Sequence, residues 1–269
     1  EAAIDNVIDW LAAGIDPKKS TLFIQSEIPQ HLELFMIFSC FTPLGWLERC
    51  PTYKEQLREI KTRDLNTYGF LGYPVLQAAD ILVYRANKVP VGEDQLPHLE
   101  LTREISRRFN TLYKKEVFPE PVSLLTKAPR LLGLDGRKMS KSYNNTIDLS
   151  DSEELITKMI SAMITDPQRI KLFSPGHPDI CNVFAYYSTF MPEAKLEVID
   201  YCTRAKVGCT ECKKSLADCL IKKLEPFHKK RAELAKDKKK IKNILEEGKE
   251  NAGILGRETI KQVKEAMNL

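Results

Sequence analysis

The stretch Lys88-Val89-Pro90-Val91-Gly92-Glu93-Asp94-Gln95 decides the fold class. Its first four residues read as a short strand closed by a glycine, and a helical pattern from Pro97 to Phe109 follows almost at once. In an open α/β sheet, ligands bind beyond the carboxyl ends of strands, where the next helix offers free backbone N–H groups. The tetrapeptide Gly92-Glu93-Asp94-Gln95 falls at that place.

Upstream, Ile4, Val7, Ile8, Leu11 and Ala12 repeat at helical spacing from Ala2 to Ala13, and Thr21-Leu22-Phe23-Ile24-Gln25 reads as a short buried strand. Helical stretches are expected over Leu32 to Cys40, Thr52 to Ile60, and Tyr68 to Tyr84, the last from about Pro74. Downstream, Val117 to Arg137 carries Pro119, Pro121 and Pro129 and reads as irregular. It leads into Lys138-Met139-Ser140-Lys141-Ser142, a cationic loop behind Gly136 that suits a leaving pyrophosphate. After Ile147 the texture turns wholly helical: Ser152 to Ile164, Val183 to Phe190, Pro192 to Arg204, Glu211 to Leu224, Phe227 to Glu247 and Gly256 to Met267. That switch predicts a domain boundary near 147, with an α/β domain over 1–147 and an all-helical one over 148–269.

At 269 residues, 43% hydrophobic and 29% charged, the chain has enough apolar content for a full core and two domains. No apolar run approaches a membrane span, so no membrane association is expected and the cytoplasm is the expected compartment. The formal charge of +4 is unevenly spread: between Asp200 and Leu269 stand 18 Lys and Arg against 11 Asp and Glu. A polyanion-binding appendage and a long solvated helix both fit that surplus.

The chain has seven cysteines, of which Cys181, Cys202, Cys209 and Cys212 are separated by 20, six and two residues. A Cys-x-x-Cys pair beside two more suggests tetrathiolate binding of an iron–sulfur cluster or zinc, with free buried thiols as the alternative. The spacing does not choose between the metals, because both accept four thiolates. Cys40 and Cys50 lie in apolar helical surroundings that suit packing.

The ordered series Gly14-Ile15-Asp16-Pro17, Thr21 to Glu27, Gly72-Tyr73-Pro74-Val75-Leu76-Gln77-Ala78-Ala79-Asp80, Val89 to Gln95, His98 to Arg103 and the lysine loop resembles bacterial-type tryptophanyl-tRNA synthetases. The resemblance covers essentially the whole chain. It implies a class I Rossmann-type nucleotide-binding domain followed by a helical anticodon-binding domain. The implied reaction joins tryptophan to ATP, accompanied by Mg²⁺, and passes the acyl group to its tRNA. The resemblance also implies a homodimer, for which Leu34-Phe35-Met36-Ile37-Phe38 is a candidate contact that core burial explains equally well.

Residue by residue, the resemblance makes Asp80 the acceptor of the indole N–H, while Tyr73, Gln77 and Gln95 serve the amino-acid substrate. A lone carboxylate in an apolar helix needs such a donor, since an unmatched buried acceptor costs about 1–3 kcal/mol. Gly92, Glu93 and Asp94 match ATP-site positions, Leu131 an adenine-flanking one, and Met139, Ser140 and Ser142 belong to the ATP-handling loop. Lys138 and Lys141 match the lysines that stabilise the triphosphate while the substrate carboxylate attacks. A subset of the family carries a 4Fe-4S cluster on a similar cysteine pattern.

The same Tyr, Gln and Asp spacing occurs in tyrosyl-tRNA synthetases, so tyrosine is the rival substrate, although Val-Pro-Val-Gly-Glu-Asp-Gln is the tryptophan form. The family also carries a HIGH-type histidine motif near its N-terminus, and this sequence contains no counterpart. The sequence opens on Glu1, so a preceding segment and a catalytically silent chain as given are expected. A non-catalytic tRNA- or metal-binding module derived from a synthetase is the reading from another class.

Overall fold

The computed structural model of the chain describes residues 2–59, 64–125, 131–139 and 143–269. In chain order its helices are α1 (Ala2–Ala12), α2 (Gln30–Ser39), α3 (Leu44–Glu48), α4 (Pro51–Glu59), α5 (Tyr68–Leu82), α6 (Leu96–Tyr113), α7 (Glu153–Ala162), α8 (Asn182–Phe190), α9 (Lys195–Thr203), α10 (Cys209–Lys236) and α11 (Lys238–Met267). Two strands, β1 (Lys88–Val91) and β2 (Val122–Leu125), are described with them. The chain divides into two compact units, each built from two separated segments. One holds residues 1–15 and 128–238; the other holds 16–127 and 239–269. These divisions fall at 15, 127 and 238, where the sequence reading has one boundary near 147. A switch of element type marks the latter, whereas the units follow which faces pack.

In the unit of residues 16–127 and 239–269, β1 and β2 pair in parallel, with Lys88 opposite Val122 and Val91 opposite Leu125. Helix α6 makes the crossover, as parallel pairing requires. The segment read as irregular therefore contains a strand, hidden by its proline-rich flanks. The core gathers Leu34 and Phe38 of α2, Val75, Ala78, Ala79 and Leu82 of α5, Ile105 and Phe109 of α6, and Ile260, Val263 and Ala266 of α11. Phe38, Phe109 and Phe118 meet edge to face at centroid distances of 4.9–6.4 Å. Leu34 and Phe38 of the apolar α2 stretch are thus core residues, while Met36 on its other face is exposed.

Three further element predictions change in this unit. Thr21 to Gln25 is not a strand: it runs extended into a 3₁₀ turn at Gln25–Glu27, and no described strand lies beside it. Helix α11 covers it instead, so closely that a Cβ on Gly248 would sit 1.8 Å from the Leu22 carbonyl oxygen. Gly248 thus lies inside a continuous helix where close backbone approach, not a turn, calls for glycine. Helix α5 begins six residues before Pro74, because the Thr67 hydroxyl caps it by accepting from the Phe70 N–H at 3.2 Å.

In the unit of residues 1–15 and 128–238, α10 packs against α1, α7 and α8. Its core combines Ile156 and Ile160 of α7, Val183, Tyr186 and Tyr187 of α8, Val198 of α9, and Leu216, Ala217 and Leu220 of α10. Helix α10 runs through Pro226, where the sequence reading breaks it. Proline there costs one backbone hydrogen bond. Packing on both sides keeps the line: Leu216 and Leu220 are buried before it, and Arg231 after it binds Asp9 of α1 at 2.6 Å. Among the described residues no helix is long and apolar enough to cross a membrane.

Candidate functional site

Tyr73, Gln77 and Asp80 stand at i, i+4 and i+7 on α5, which puts them on one face of the helix. The other face buries Val75, Ala78, Ala79 and Leu82 and fixes its rotation.

Asp80 sits in a network of side chains. The Gln25 amide donates to both carboxylate oxygens at 2.7 Å, and His31 Nδ1 lies 2.6 Å from Oδ1. His31 Nε2 reaches the Tyr84 hydroxyl at 2.8 Å, so the imidazole bridges a phenol and a carboxylate. Burial, followed by the Asp80 charge, pushes the Tyr84 phenol well above its ordinary range. The His31 side chain is 3% exposed and Asp80 35%, so the carboxylate keeps an open side for one more donor. Phe23 walls the network, with ring centroids 5.4 Å from Tyr84 and 5.9 Å from His31.

One turn back along α5, Gln77 approaches Gln95 at 3.4 Å, and the Gln95 amide donates to Asp94 at 3.1 Å. Gln95 closes the 3₁₀ turn Glu93–Gln95 that follows β1, the place that the strand–turn–helix pattern predicts. Gly92 packs against its neighbour: a Cβ there would fall 2.6 Å from Asp94 Oδ1. Tyr73 points its hydroxyl at His98 Nε2 at 3.3 Å, and Thr52 reaches the same nitrogen at 2.8 Å. Cys50 Sγ lies 3.7 Å from His98 Nδ1 and 3.2 Å from the Thr52 hydroxyl. Burial alone would raise the Cys50 thiol, but hydrogen bonds with His98 and Thr52 outweigh it and bring the pKa to about 7.

In the other unit, Leu131, Lys138 and Met139 lie in a tight turn around Gly136, whose φ is +76°. Leu132 bridges Lys138 in antiparallel fashion, and Asn145 braces the turn by donating to Asp135 Oδ1 at 2.8 Å and the Lys138 carbonyl at 3.1 Å. The Asn145 hydrogen bond and the Arg137 backbone N–H hold the Asp135 carboxyl down at about 2. Leu131 and Met139 line an apolar cavity of about 110 Å³ with Ile147, Tyr186 and Leu220. Lys138 is exposed; Ser140, Lys141 and Ser142 lie outside the described residues.

The same unit draws Cys181, Cys202, Cys209 and Cys212 near one another, so that the ionisation of Cys202 and Cys212 feels the neighbouring sulfurs. Burial, opposed by the Tyr201 hydroxyl at 3.5 Å and reinforced by the other three cysteines, pushes Cys212 up to about 11. Cys202 is raised chiefly by burial. Gly176 presses on this cluster, since a Cβ there would fall 2.4 Å from Cys202 Sγ. Arg169 lies 3.9 Å from Cys209 Sγ and is tied to the Leu172 and Val207 carbonyls. Yet among the described residues no three or more His, Cys, Asp or Glu side chains are gathered closely enough to hold a metal ion. The expected tetrathiolate ligand set is therefore not assembled here: the thiols are neighbours, all of them free.

Residues 1–225 match the family of tRNA synthetases class I (W and Y). The chain belongs to this family. Similar relatives are the tryptophan–tRNA ligases of Thermotoga maritima, 47% identical over 98% of this chain and 81% of that one, and of Ralstonia nicotianae, 38% identical over 100% and 85%. Among solved structures, the tryptophanyl-tRNA synthetase of Campylobacter jejuni complexed with ADP and tryptophan superposes with a TM-score of 0.86. It is 32% identical, over 99% of this chain and 82% of that one. The fold is that of a class I tRNA synthetase, largely helical with a small parallel sheet among the described residues.

Within this synthetase fold, Gln25, His31, Tyr84, Thr52, His98 and Cys50 are the residues that sequence reasoning left without a role. His98 had a signal, standing three places after Gln95 in the same motif. Gln25, read as the end of a strand, had one too, within the Thr21 to Glu27 match, whereas Cys50, read as packing, had none, because its partner His98 lies 48 residues away.

Proposed function

We propose that this chain is a tryptophan–tRNA ligase, which activates tryptophan with ATP and passes the acyl group to its tRNA. The observation that carries the reading is Asp80, a carboxylate fixed by Gln25 and His31 with one side left open. An indole N–H supplies the single donor that such a group lacks. A side chain without that donor leaves the carboxylate underserved, which is the basis for rejecting phenylalanine. The relatives named as tryptophan–tRNA ligases, matching nearly the whole chain, support the same substrate.

In this reading Tyr73 and Gln95 hold the amino-acid head group, and Gln77 steadies Gln95. Gly92, Glu93 and Asp94 serve ATP, with the glycine allowing close backbone approach and the acids suiting ribose hydroxyls. Leu131 flanks adenine, while the loop of Lys138, Met139, Ser140, Lys141 and Ser142 handles the triphosphate. The substrate carboxylate is the nucleophile, so the protein's task is positioning and charge neutralisation by Lys138 and Lys141. Mg²⁺ accompanies ATP as its counter-ion.

A 4Fe-4S cluster or Zn²⁺ on Cys181, Cys202, Cys209 and Cys212 is supported by their spacing and mutual proximity, and the metal content of anaerobically purified protein tests it. The basic surplus after Asp200 supports a surface for the tRNA anticodon arm within a helical domain over 148–269. Three of its candidate cations are engaged: Arg231 with Asp9, Lys229 with Glu225 and Lys223 with the Phe190 carbonyl. That leaves Lys222 and Lys230 as the better tRNA contacts. A cytoplasmic homodimer completes the proposal.

The decisive experiment is amino-acid-dependent pyrophosphate exchange and direct binding with tryptophan, tyrosine and phenylalanine. Tryptophan alone should bind the chain as given, and it alone should support exchange in a protein that also carries the family's histidine motif. Equal or better use of tyrosine would replace the substrate, and tRNA binding with no amino-acid binding would favour a non-catalytic module.

A further inference from the structure

The two oxygens of the Asp80 carboxylate are not served alike. The Gln25 amide nitrogen lies 2.7 Å from each, so Gln25 does not tell one from the other. His31 does, with Nδ1 placed 2.6 Å from Oδ1. Among the described residues, Oδ1 thus takes two hydrogen bonds, while Oδ2 takes one and keeps room for another. The direction of these bonds requires no choice of tautomer. An ionised carboxylate has only lone pairs, so Nδ1 is the donor. The Tyr84 phenol both gives and takes, and it serves His31 Nε2 at 2.8 Å whether or not that nitrogen carries a hydrogen.

His31 is itself held from several sides. It stands with Leu34 and Phe38 on the buried face of α2, at i, i+3 and i+7, so the core that packs those two fixes where its ring emerges. Phe23 and Tyr84 meet the ring at centroid distances of 5.9 and 5.4 Å. Tyr84 follows Asp80 by four residues, just past the end of α5, and His31 spans from one to the other. With Gln25 alone, both oxygen positions would stand equally open, and the carboxylate torsion, whose wells are broad and two-fold, would let the group tilt between them. His31 fills one position and leaves the other.

We propose that His31 is a positioning residue that sets substrate specificity. By filling Oδ1 it leaves Oδ2 as the single acceptor for a ring N–H, and so lets Asp80 discriminate an indole from a ring of the same shape that has no donor. This rests on the reading of tryptophan as substrate, with Asp80 at its indole. His31 does not touch the substrate; it acts through Asp80, and Tyr84 braces it from behind.

The test is calorimetric binding of L-tryptophan and of 3-benzothienyl-L-alanine, whose ring keeps the indole shape with sulfur in place of N–H. Wild type, His31→Leu and His31→Asn are compared, with thermal melts to confirm that each is folded. Leu and Asn are close in shape, but Asn carries an N–H donor where Nδ1 stands and Leu carries none. Wild type should prefer tryptophan by about ten-fold or more. His31→Leu should weaken tryptophan about ten-fold and move the sulfur analogue by less than about two-fold, so that the preference collapses. His31→Asn should restore most of the tryptophan affinity. Should His31→Leu not fold, His31→Gln takes its place, because its amide reaches the Tyr84 end and leaves the Oδ1 side without a second donor. Equal weakening of both ligands, unchanged or tighter tryptophan binding in the donorless variant, or no recovery in His31→Asn would overturn the inference and leave the substrate reading intact. Wild type that binds neither ligand, or both alike, would overturn the reading of Asp80 as the indole acceptor, and the inference with it.

Discussion

Asp80 and the four cysteines are two answers to the problem of keeping polar groups away from water. At Asp80 the partners are complementary: an amide and an imidazole serve the carboxylate, the imidazole is held by a phenol, and one side stays open. At Cys181, Cys202, Cys209 and Cys212 the neighbours are alike, and burial and the nearby sulfurs make the thiolates of Cys202 and Cys212 more costly. The first region is organised before any ligand arrives. In the second, Cys202 and Cys212 hold their protons more firmly, and a metal binding there has to displace them.

The sharpest way to break this contrast is Asp80→Ala, which removes the acceptor and leaves Gln25 and His31 without their partner. Tryptophan binding should weaken about 100-fold, measured by calorimetry, because a hydrogen bond to a charged group is lost and its partners are orphaned. A loss below about three-fold would mean that the network is structural.

Cys209→Ser probes the other region. It should leave tryptophan affinity within about two-fold of wild type. In anaerobically purified protein it should lower iron or zinc per chain, read by elemental analysis. Unchanged metal-free protein in both forms, with all four thiols alkylating at ordinary rates, would reduce the cluster to packing.

Asp166 offers a subtler test beside the thiols. Burial opposes its ionisation, but the Gln168 backbone and the ring and backbone N–H of His177 outweigh this and hold its pKa below the ordinary range. A carboxylate depressed in the folded state contributes stability above its unfolded pKa and loses it as pH falls through the folded one. Asp166→Asn should therefore cost about 1–2 kcal/mol in urea unfolding at pH 7, a difference that shrinks below about pH 4. A constant difference across that range would show that the cost is steric.

The smallest effect is expected from charge. Neutralising Lys222 and Lys230 together should lower tRNA affinity modestly and reduce the salt slope by about two. Arg231→Gln should act on unfolding instead, because Arg231 is bound to Asp9. A full tRNA effect from Arg231 alone would reverse that assignment.

What the sequence made legible follows the range of the interactions. Helices α1, α2, α6 and α8 and strand β1 were readable because their patterns are local, as was the motif that puts Gln95 after β1. Strand β2 was not, since pairing with β1 and not composition makes it a strand. The continuity of α10 through Pro226 and of α11 through Gly248, Gly253 and Gly256 depends on what those faces touch. At the site, helical spacing put Tyr73, Gln77 and Asp80 on one face and the family resemblance gave them their expected roles, whereas their partners His31, Thr52 and Cys50 were marked by neither. These partners meet only when distant segments pack, and no local pattern marks them.

The interleaving of the two units carries a consequence for how the chain is made. Ile260, Val263 and Ala266 complete the core around Val75 and Phe109, yet a ribosome delivers them after every residue of the intervening unit. Until α11 emerges, the nascent Asp80 unit exposes an apolar seat, and Leu22 awaits the glycine face that will cover it. Domains generally fold as units as they emerge, and this one, whose last segment follows all of the other's, is completed later. A chaperone that shields the seat through that interval would act on the α2 and α5 surfaces that α11 later covers.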